Sequence, residues 1–553
     1  MPITNQTKHP KGLKFLFLSE MWERFGYYLM IGIFTLYLKD VKAGFAMTEA
    51  ESADLYGTFI ALVFLTPFLG GLLADRYLGY AKSIIIGGLM MGVGYCLMGV
   101  HNLPMLYLAM TLVILGNGFF KPNISTLLGN IYSTPEYQAK KDDGYNIFYM
   151  GINVGAFICN FFGAALYIML GWEYAFLAAG VGMFIGVVVF ITGLKHYRAF
   201  DIKKGMVDGD MSFLKICLLI LLPSIIAGVI GWVLPTKLIG HPLVGSTSTD
   251  AFIFACFPVI YFYSTLFFKA SKEEKRPIAA LLTIFVVVIL FWAVFKQNGT
   301  ALTTWADRYT DRSLTNTTAK NTFSNLSLSQ NLIYKKDSVA LYDHAFRLQK
   351  VDGVVQKEYN YPVYFKNVPA AELPAAGGDV ELWATNLSQS INPAWVILLT
   401  PLVVAFFTWL RSRGKEPSTA SKIIFGIFIS AISVLVMITA VYIGKNGSEK
   451  VSVLWLMGTY GIITIGELFL SPMGLSLVSK LSPVRITSLM MGGWFVSTSI
   501  GNKLSGVLAT LWDTYEDKSN FFWVNFSLLM ASAIIGLMLL KWLNNIMKAY
   551  GIK

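Results

Sequence analysis

The sequence predicts an all-α protein that crosses a membrane many times, from its composition, its apolar segments and the distribution of its positive charges. Of its 553 residues, 55% are hydrophobic and 14% are charged, whereas about 25% charged residues are usual in soluble domains. The mean hydropathy is +0.58. Such a chain lacks the polar surface of a water-soluble globule, so the sequence predicts a polytopic membrane protein in contact with the lipid bilayer.

Fourteen apolar segments are long enough to cross a hydrocarbon core about 30 Å thick. They cover about 15–38, 52–74, 80–100, 104–127, 145–170, 173–194, 213–234, 250–268, 277–302, 393–411, 421–443, 451–478, 484–510 and 522–543. With the N-terminus in the cytoplasm, the cytoplasmic side carries roughly 24 Lys and Arg and the short external loops roughly 6, as the positive-inside rule requires. Both termini are therefore expected in the cytoplasm, and the net charge of +12 reflects topology rather than nucleic-acid binding.

The segments fall into two groups of six with an apolar two-helix hairpin inserted between them. The predicted parts are an N-terminal six-helix bundle at 1–194, basic linkers and the hairpin at 195–276, the first helix of the C-terminal bundle at 277–302, a polar loop at 303–392 and the rest of the C-terminal bundle at 393–553. Paired six-helix halves are typical of major facilitator carriers, whose substrate site lies between the halves. The loop is external in this topology and mixes β-formers with turn residues, which is compatible with a small β-rich domain.

Two glutamates and an arginine lie inside the first apolar segment, at Glu20, Glu23 and Arg24. An ionised side chain near the bilayer centre costs at least about 2.5–3.5 kcal/mol. The three residues share one helical face with Tyr27 and Tyr28, because their spacing follows i, i+3, i+4, i+7 and i+8. This face is predicted to line a wet cavity; the alternative is a buried ion pair that only holds helices together.

Four further ionisable residues lie away from segment ends, at Lys121, Lys296, Glu467 and Lys503. Three acids and four bases suggest paired charges around one cavity, since unpaired buried ions are costly. A carboxylate that is released from its base takes up a proton more readily. Static neutralisation is the alternative, and it is expected for Lys503, which lies toward the external end of its helix.

Aromatic and amide residues that lie one helical turn from a buried charge are candidate substrate ligands. They are Tyr27, Tyr28 and Asn117, with Asn153 as a weaker candidate. The four cysteines have no metal-ligand spacing, and the five histidines lie in tails, loops or segment ends. The sequence therefore predicts no metal and no cofactor, and any proton handling is expected to fall to carboxylates. It contains no nucleophile–base pair in the membrane, which disfavours an enzyme.

A second motif follows the second segment, where residues 70–79 read GGLLADRYLG. Small residues allow close helix approach, and Asp75 and Arg76 are predicted to form or break ion pairs as a cytoplasmic gate moves. The pattern resembles the loop signature of the major facilitator superfamily, which indicates a fold and no particular substrate.

Several ordered motifs resemble those of the proton-dependent oligopeptide transporter family. Residues 20–28 read EMWERFGYY and resemble the family's ExxERFxYY motif. Further matches are GNGFFKPN at 116–123, FYMGINVG at 148–155, FWAVF at 291–295 and GELFLSP at 466–472. The resemblance covers the chain except for 303–388, and it implies a bacterial inner-membrane symporter that imports di- and tripeptides with protons.

The resemblance also implies residue roles. Glu20, Glu23 and Arg24 with Lys121 would couple protons. Glu467 would meet the amino terminus of the peptide and Lys121 its carboxylate. The remaining implied ligands are Tyr27, Asn153 and Asn392, with Trp494 lining the pocket.

Two positions depart from the family pattern. Ile31 stands where many members carry a second arginine, and Lys296 followed by Gln297 stands where many carry an acid. We interpret Lys296 as a relocated base that takes part in carboxylate binding or pairs with Glu20 or Glu23. The alternative is a lysine that snorkels toward the external interface.

Two rival functions remain at this point. The first is a carrier of the same fold that moves nitrate or another small, peptide-like solute, although Glu467 favours a substrate with a cationic end. A membrane receptor or scaffold that uses the external loop is the second rival. It predicts that deletion of the loop abolishes function while Glu20 and Lys121 variants are silent.

Overall fold

The computed structural model describes residues 8–201, 213–483 and 486–550 of the chain. Each predicted apolar segment overlaps one of its helices. The helices are α1 (Gly12–Lys39), α2 (Glu49–Leu73), α3 (Tyr80–Met98), α4 (Leu103–Ile131), α5 (Lys141–Met169), α6 (Trp172–Gly193), α7 (Phe213–Ile216), α8 (Leu222–Ile239), α9 (Thr247–Lys269), α10 (Lys272–Phe295), α11 (Ala301–Arg308), α12 (Thr317–Asn325), α13 (Ile391–Ser412), α14 (Thr419–Ile443), α15 (Leu454–Leu481), α16 (Thr487–Thr514) and α17 (Lys518–Ala549).

Twelve helical stretches in the described part of the chain are long and apolar enough to cross a membrane. Neither α1 nor α16 is among them, although each has 28 residues. The first carries Glu20, Glu23 and Arg24, and the second carries Lys503 among serines and threonines. The helical membrane class is confirmed, whereas the predicted count of fourteen spans is not.

Contacts divide the chain into two compact units. The first comprises Met1–Phe34 and Leu62–Val207, and the second comprises Thr35–Ala61 and Asp208–Lys553. The end of α1 and the first half of α2 therefore pack with the second unit, whereas the predicted bundle boundary assigned them to 1–194. Hydrogen bonds from this segment to residues 299 and 304 account for the difference.

In the first unit, α3 packs against both α4 and α6. A Cβ on Gly87 would lie 2.5 Å from the carbonyl oxygen of Gly116, so the backbones of α3 and α4 are in direct contact. Without a hydrophobic driving force in lipid, such small-residue contacts allow the dispersion packing that holds helices together. Large side chains fill the remaining space, and Tyr95 and Phe120 are fully buried.

In the second unit, α10 packs against α16 and α17, and α14 packs against α15 and α17. The helices α8 and α9 form an antiparallel pair at the position of the predicted hairpin. The turn between them is fixed by Asp250, whose carboxylate accepts hydrogen bonds from the backbone N–H groups of Leu243 and Val244 at 2.7 and 2.9 Å. The basic linker before the hairpin lies partly at 202–212, outside the described residues.

The polar loop contains three two-stranded antiparallel sheets in its described residues. The pairs are β1 (Ser329–Ile333) with β6 (Asp379–Trp383), β2 (Asp337–Ala340) with β5 (Lys357–Asn360), and β3 (Lys350–Val351) with β4 (Val354–Val355). In the first pair Ser329 lies opposite Trp383 and Ile333 opposite Asp379. A small core of Tyr364, Phe365 and Leu382 packs at this first pair.

Lys450 joins this loop to the connection between α14 and α15. Its ammonium donates to the carbonyl oxygen of Arg308 at 2.9 Å and lies 4.1 Å from the centroid of the Tyr364 ring. Burial, aided by the positive charge of Arg312, lowers the pKa of Lys450 to about 7. The loop is therefore attached through a lysine that loses its proton near neutral pH.

Candidate functional site

The charged face of α1 forms a buried cluster in the first unit. Glu20, Glu23 and Arg24 are 2%, 0% and 3% exposed. The Nε of Arg24 lies 3.0 Å from Oε1 of Glu20, and the same nitrogen contacts the carboxylate of Glu23. Two carboxylates around one guanidinium leave a net negative charge, so a further cation or a proton is needed for balance.

The helix packing explains why this cluster is buried. A Cβ on Gly155 of α5 would lie 2.3 Å from the carbonyl oxygen of Met21 and 3.2 Å from Cβ of Arg24. Only glycine allows α5 to approach α1 this closely. The glycine that ends the 148–155 motif therefore closes one side of the charged face.

Lys121 of α4 supplies the further cation. It interacts electrostatically with Glu23 and lies 4.4 Å from the centroid of the Phe64 ring. Asn117, one turn before it, is 1% exposed, and neither its amide nitrogen nor its amide oxygen has a hydrogen-bond partner among the described residues. A buried amide without partners is costly, which marks Asn117 as a group that can bind a ligand or water.

The aromatic residues next to the cluster are in contact with it. The guanidinium of Arg24 lies 5.3 Å from the ring centroid of Tyr27, and the rings of Tyr27 and Tyr28 meet edge to face at 5.4 Å. Asn153 on α5 is half-buried and donates to the carbonyl oxygen of Tyr149 in its own helix at 3.1 Å. Because the amide nitrogen of Asn153 is held by its own helix, the orientation of its amide oxygen is set as well.

In the second unit, Glu467 of α15 is held by an amide. Asn392 of α13 donates to Oε2 of Glu467 at 3.2 Å and to the hydroxyl of Thr464 at 2.8 Å. Lys296, at the start of the 3₁₀ turn Lys296–Gly299 that follows α10, interacts electrostatically with Glu467. It lies 5.9 Å from the ring centroid of Trp292. The structure thus brings an acid, an amide and a base of the predicted set together.

Trp494 of α16 is 4% exposed and packs closely against α15. A Cβ on Gly474 would lie 2.0 Å from its indole ring, and its ring meets that of Phe285 edge to face at 6.2 Å. The indole therefore fills the contact between α10, α15 and α16.

The predicted gating residues lie in a short irregular segment. Asp75 and Arg76 belong to a π-helical turn, Ala74–Leu78, that ends at Gly79 with φ +84°. Their side chains lie outside the described part of the structure, so their ion pairs stay a prediction.

A second charged group, which sequence reasoning missed, lies where α2, α9 and α16 meet. Lys503 is 2% exposed, and its ammonium lies 2.6 Å from Oδ1 of Asp54. Asp54 stands at the start of the predicted segment 52–74, where a charge is usually solvated, and it therefore gave no signal. The expectation that Lys503 is neutralised is consistent with this pair.

Comparison with known proteins gives the family. A sequence model of the POT family matches residues 81–323 and 381–524, more than half of the chain. The chain belongs to the POT family. The membership predicted from the motifs is confirmed, and the motifs at 116–123, 148–155, 291–295 and 466–472 all fall within the matched residues.

Bacterial relatives resemble this POT family chain along most of its length. It is 28% identical over 516 residues to a di-/tripeptide transporter of Lactococcus lactis subsp. lactis (strain IL1403), covering 91% of this chain and 89% of the relative. It is 26% identical over 522 residues to the peptide transporter YePEPT of Yersinia enterocolitica subsp. palearctica, with 90% and 87% covered.

Solved structures share the fold. A crystal structure of the peptide transporter POT in complex with sulfate has a TM-score of 0.71 and 26% identity, covering 99% of this chain and 97% of that one. A POT family transporter in complex with 5-aminolevulinic acid has a TM-score of 0.73 at 23% identity, with 99% of each chain covered. The major facilitator architecture of these transporters is therefore the architecture of this chain.

Proposed function

We propose that this POT family chain is a proton-coupled symporter that imports di- and tripeptides by alternating access. Two observations carry the proposal: the second unit contains a fixed acid, Glu467 held by Asn392, and the first unit contains an acid–base cluster around Arg24 and Lys121. A zwitterionic peptide needs an acid for its amine and a base for its carboxylate. The peptide transporters named above support this substrate class.

We assign the substrate contacts as follows. Glu467 binds the amino terminus, because its carboxylate is oriented by Asn392. Lys121 binds the peptide carboxylate, aided by Tyr27 and Asn153. Short peptides with free termini are the proposed substrates, because they carry the two opposite charges that this acid and this base bind.

Proton coupling is assigned to the α1 cluster. Protonation of Glu20 or Glu23 neutralises one of two carboxylates that attract Arg24 and Lys121. Lys121 is then released to bind the peptide carboxylate, so proton binding and peptide binding favour each other. No covalent chemistry is required, and the proton is the coupling ion.

We also propose a topology. The helices α1 and α16 cross the membrane in addition to the twelve apolar stretches, giving fourteen spans with α8 and α9 as an inserted hairpin. The roughly fourfold excess of Lys and Arg on alternate loops supports a topology with both termini in the cytoplasm. The proposed location is the bacterial inner membrane. The loop at 303–392 is then external.

The decisive experiment is uptake of a labelled dipeptide into proteoliposomes with and without an inward proton gradient. We expect the gradient to drive accumulation by the wild-type protein. Glu467→Gln is expected to lower uptake at least tenfold, whereas Glu449→Gln, which changes a more exposed acid, leaves it unchanged. Uptake that ignores the gradient contradicts proton coupling for that peptide. Gradient-driven uptake of a different solute, with no dipeptide uptake, supports the rival carrier.

A further inference from the structure

The hairpin helix α9 is attached to α16 at two levels. The ammonium of Lys503 donates to the hydroxyl of Ser248 at 2.8 Å, and the hydroxyl of Tyr263 donates to the carbonyl oxygen of Leu489 at 2.8 Å. The two attachments are about 22 Å apart along α9 and about 21 Å apart along α16 at 1.5 Å per residue. Because these lengths agree, α9 lies antiparallel along α16 and is fixed to it at both ends.

Near Lys503 a third helix, α2, contacts both α9 and α16. The carboxylate of Asp54 on α2 accepts from Lys503 at 2.6 Å, from Ser246 at 2.9 Å and from Ser248 at 2.7 Å on both oxygens. Thr249 contributes a longer contact of 3.4 Å. Asp54, Thr58, Ser246, Ser248, Thr249 and Lys503 are called the Asp54 cluster below.

The donors and acceptors of this cluster are mutually consistent. Each serine hydroxyl has one proton, which points to Asp54, and its lone pairs accept from elsewhere. Ser248 accepts from Lys503, and Ser246 accepts from the backbone N–H of Thr249 at 3.2 Å as the N-cap of α9. The cap fixes Ser246 on a rigid helix end, so the hairpin presents hydroxyls that are already oriented toward Asp54.

Elsewhere α2 contacts α16 through the Asp513 carboxylate, which accepts from the backbone N–H of Ala50 at 3.2 Å, and through uncharged groups. A Cβ on Gly57 would lie 2.7 Å from Cα of Gly506, and the hydroxyl of Ser499 donates to the carbonyl oxygen of Ala61 at 2.7 Å. These contacts hold the two backbones together but make few strong bonds. The Asp54 cluster adds an ion pair, supported by several hydroxyl groups, to this contact between α2 and α16.

We propose that α9 is the positioning element of a latch, in which Ser246 and Ser248 hold the Asp54 carboxylate for Lys503 and so keep α2 closed against α16. The inference rests on the proposed alternating access, since it assigns the latch to one closed state of the cycle. When α2 leaves, Asp54 leaves with it, whereas Ser248 stays bonded to Lys503 because α9 is fixed to α16. The hairpin thus orients the carboxylate in the closed state and gives the buried ammonium a partner in the open state.

The test measures opening directly, without peptide or proton gradient. Ser499→Cys is introduced into a full-length chain whose four native cysteines are replaced, and the protein is placed in nanodiscs, where both membrane faces are accessible. Ser499 is 1% exposed, so we expect slow reaction with a hydrophilic maleimide in this reference protein. Ser248→Ala should raise the labelling rate about tenfold, since it removes a hydrogen bond to a charged group that exists only in the closed state.

Matched variants separate positioning from general damage. Ser248→Thr keeps the hydroxyl and should restore the slow rate, and Thr265→Val should also label slowly. Thr265 lies on the same helix but donates to the carbonyl oxygen of Phe262 within it. With Asp54→Asn already present, which itself speeds labelling, Ser248→Ala should add less than twofold.

Two results would overturn the latch. One is that Ser248→Ala labels at the same rate as the reference protein. The other is that Ser248→Ala still raises the labelling rate tenfold when Asp54→Asn is present, which would show that Ser248 does not act through Asp54. Because the labelling needs no transport, failure of the latch is distinguishable from failure of peptide uptake.

Discussion

Arg24 binds Glu20 across one turn of α1, with Nε and Oε1 3.0 Å apart and both side chains buried. The guanidinium also contacts Glu23, so one cation pairs with two acids in a buried site. Arginine stays protonated at any physiological pH, which leaves the carboxylates as the groups of this trio that can exchange a proton.

Replacement of Glu20 by glutamine should therefore uncouple transport. The amide keeps the size of the side chain but takes up no proton, so we expect gradient-driven accumulation to fall at least tenfold while peptide exchange without a gradient persists. Both rates are measured in the same proteoliposomes. Glu173→Gln, at the exposed start of α6, is the matched control, and normal accumulation in Glu20→Gln would refute the assignment.

Lys296 should matter through its charge. It interacts electrostatically with Glu467, so Lys296→Ala changes the field at the acid assigned to the peptide amine. We expect about a tenfold change in KM, equivalent to about 1.4 kcal/mol, and an altered pH dependence of uptake. Lys296→Arg should behave more like the wild type. Unchanged uptake and unchanged pH dependence in Lys296→Ala would contradict a functional role for Lys296.

The closeness of α5 and α1 has a stability consequence. In Gly155→Ala the new methyl group would meet the carbonyl oxygen of Met21 at 2.3 Å, so the helices must separate, and overpacking of this kind costs about 1–3 kcal/mol. Gly458→Ala is the control, because its nearest contact is an ordinary 3.8 Å. Thermal unfolding in detergent should show a lower midpoint for Gly155→Ala alone; equal midpoints would contradict the packing argument.

The attachment of the polar loop should depend on pH through Lys450. Burial lowers its pKa to about 7 in the folded protein, below about 10.4 in an unfolded chain. Between these values the unfolded chain binds more protons at Lys450, so the contribution of this residue to stability rises with pH from about 7 to about 10 and is constant below about 7. Lys450→Met should remove this rise. The measurement is the unfolding midpoint at several pH values, and a variant with the wild-type slope would exclude Lys450 as its source.

The helices and the α1 cluster follow from local pattern. Apolar runs of spanning length give helices whatever their neighbours are, and the three- and four-residue spacing of Glu20, Glu23 and Arg24 places them on one face. Hydropathy finds twelve stretches and leaves out α1 and α16, because it counts each polar residue separately and ignores pairs such as Arg24 with Glu20 or Lys503 with Asp54.

The partners of the other buried charges did not follow from pattern. Asn392 and Glu467 were both candidate ligands, but their hydrogen bond depends on how α13 packs against α15. Thr464, which also accepts from Asn392, carries no charge and gave no signal. Asp54, the partner of Lys503, lies at the end of an apolar segment, where a charged residue is usually solvated and is therefore not singled out.

The sequence by itself determined the membrane class, the family and the acids and bases that the membrane must accommodate, because hydropathy and insertion cost act residue by residue. Only the tertiary structure decided which of these charges meet. An ion pair such as Asp54 with Lys503 joins residues hundreds of positions apart, and its geometry is set by backbone contacts such as Gly57 against Gly506. Those contacts are a property of packed helices, and no local pattern contains them.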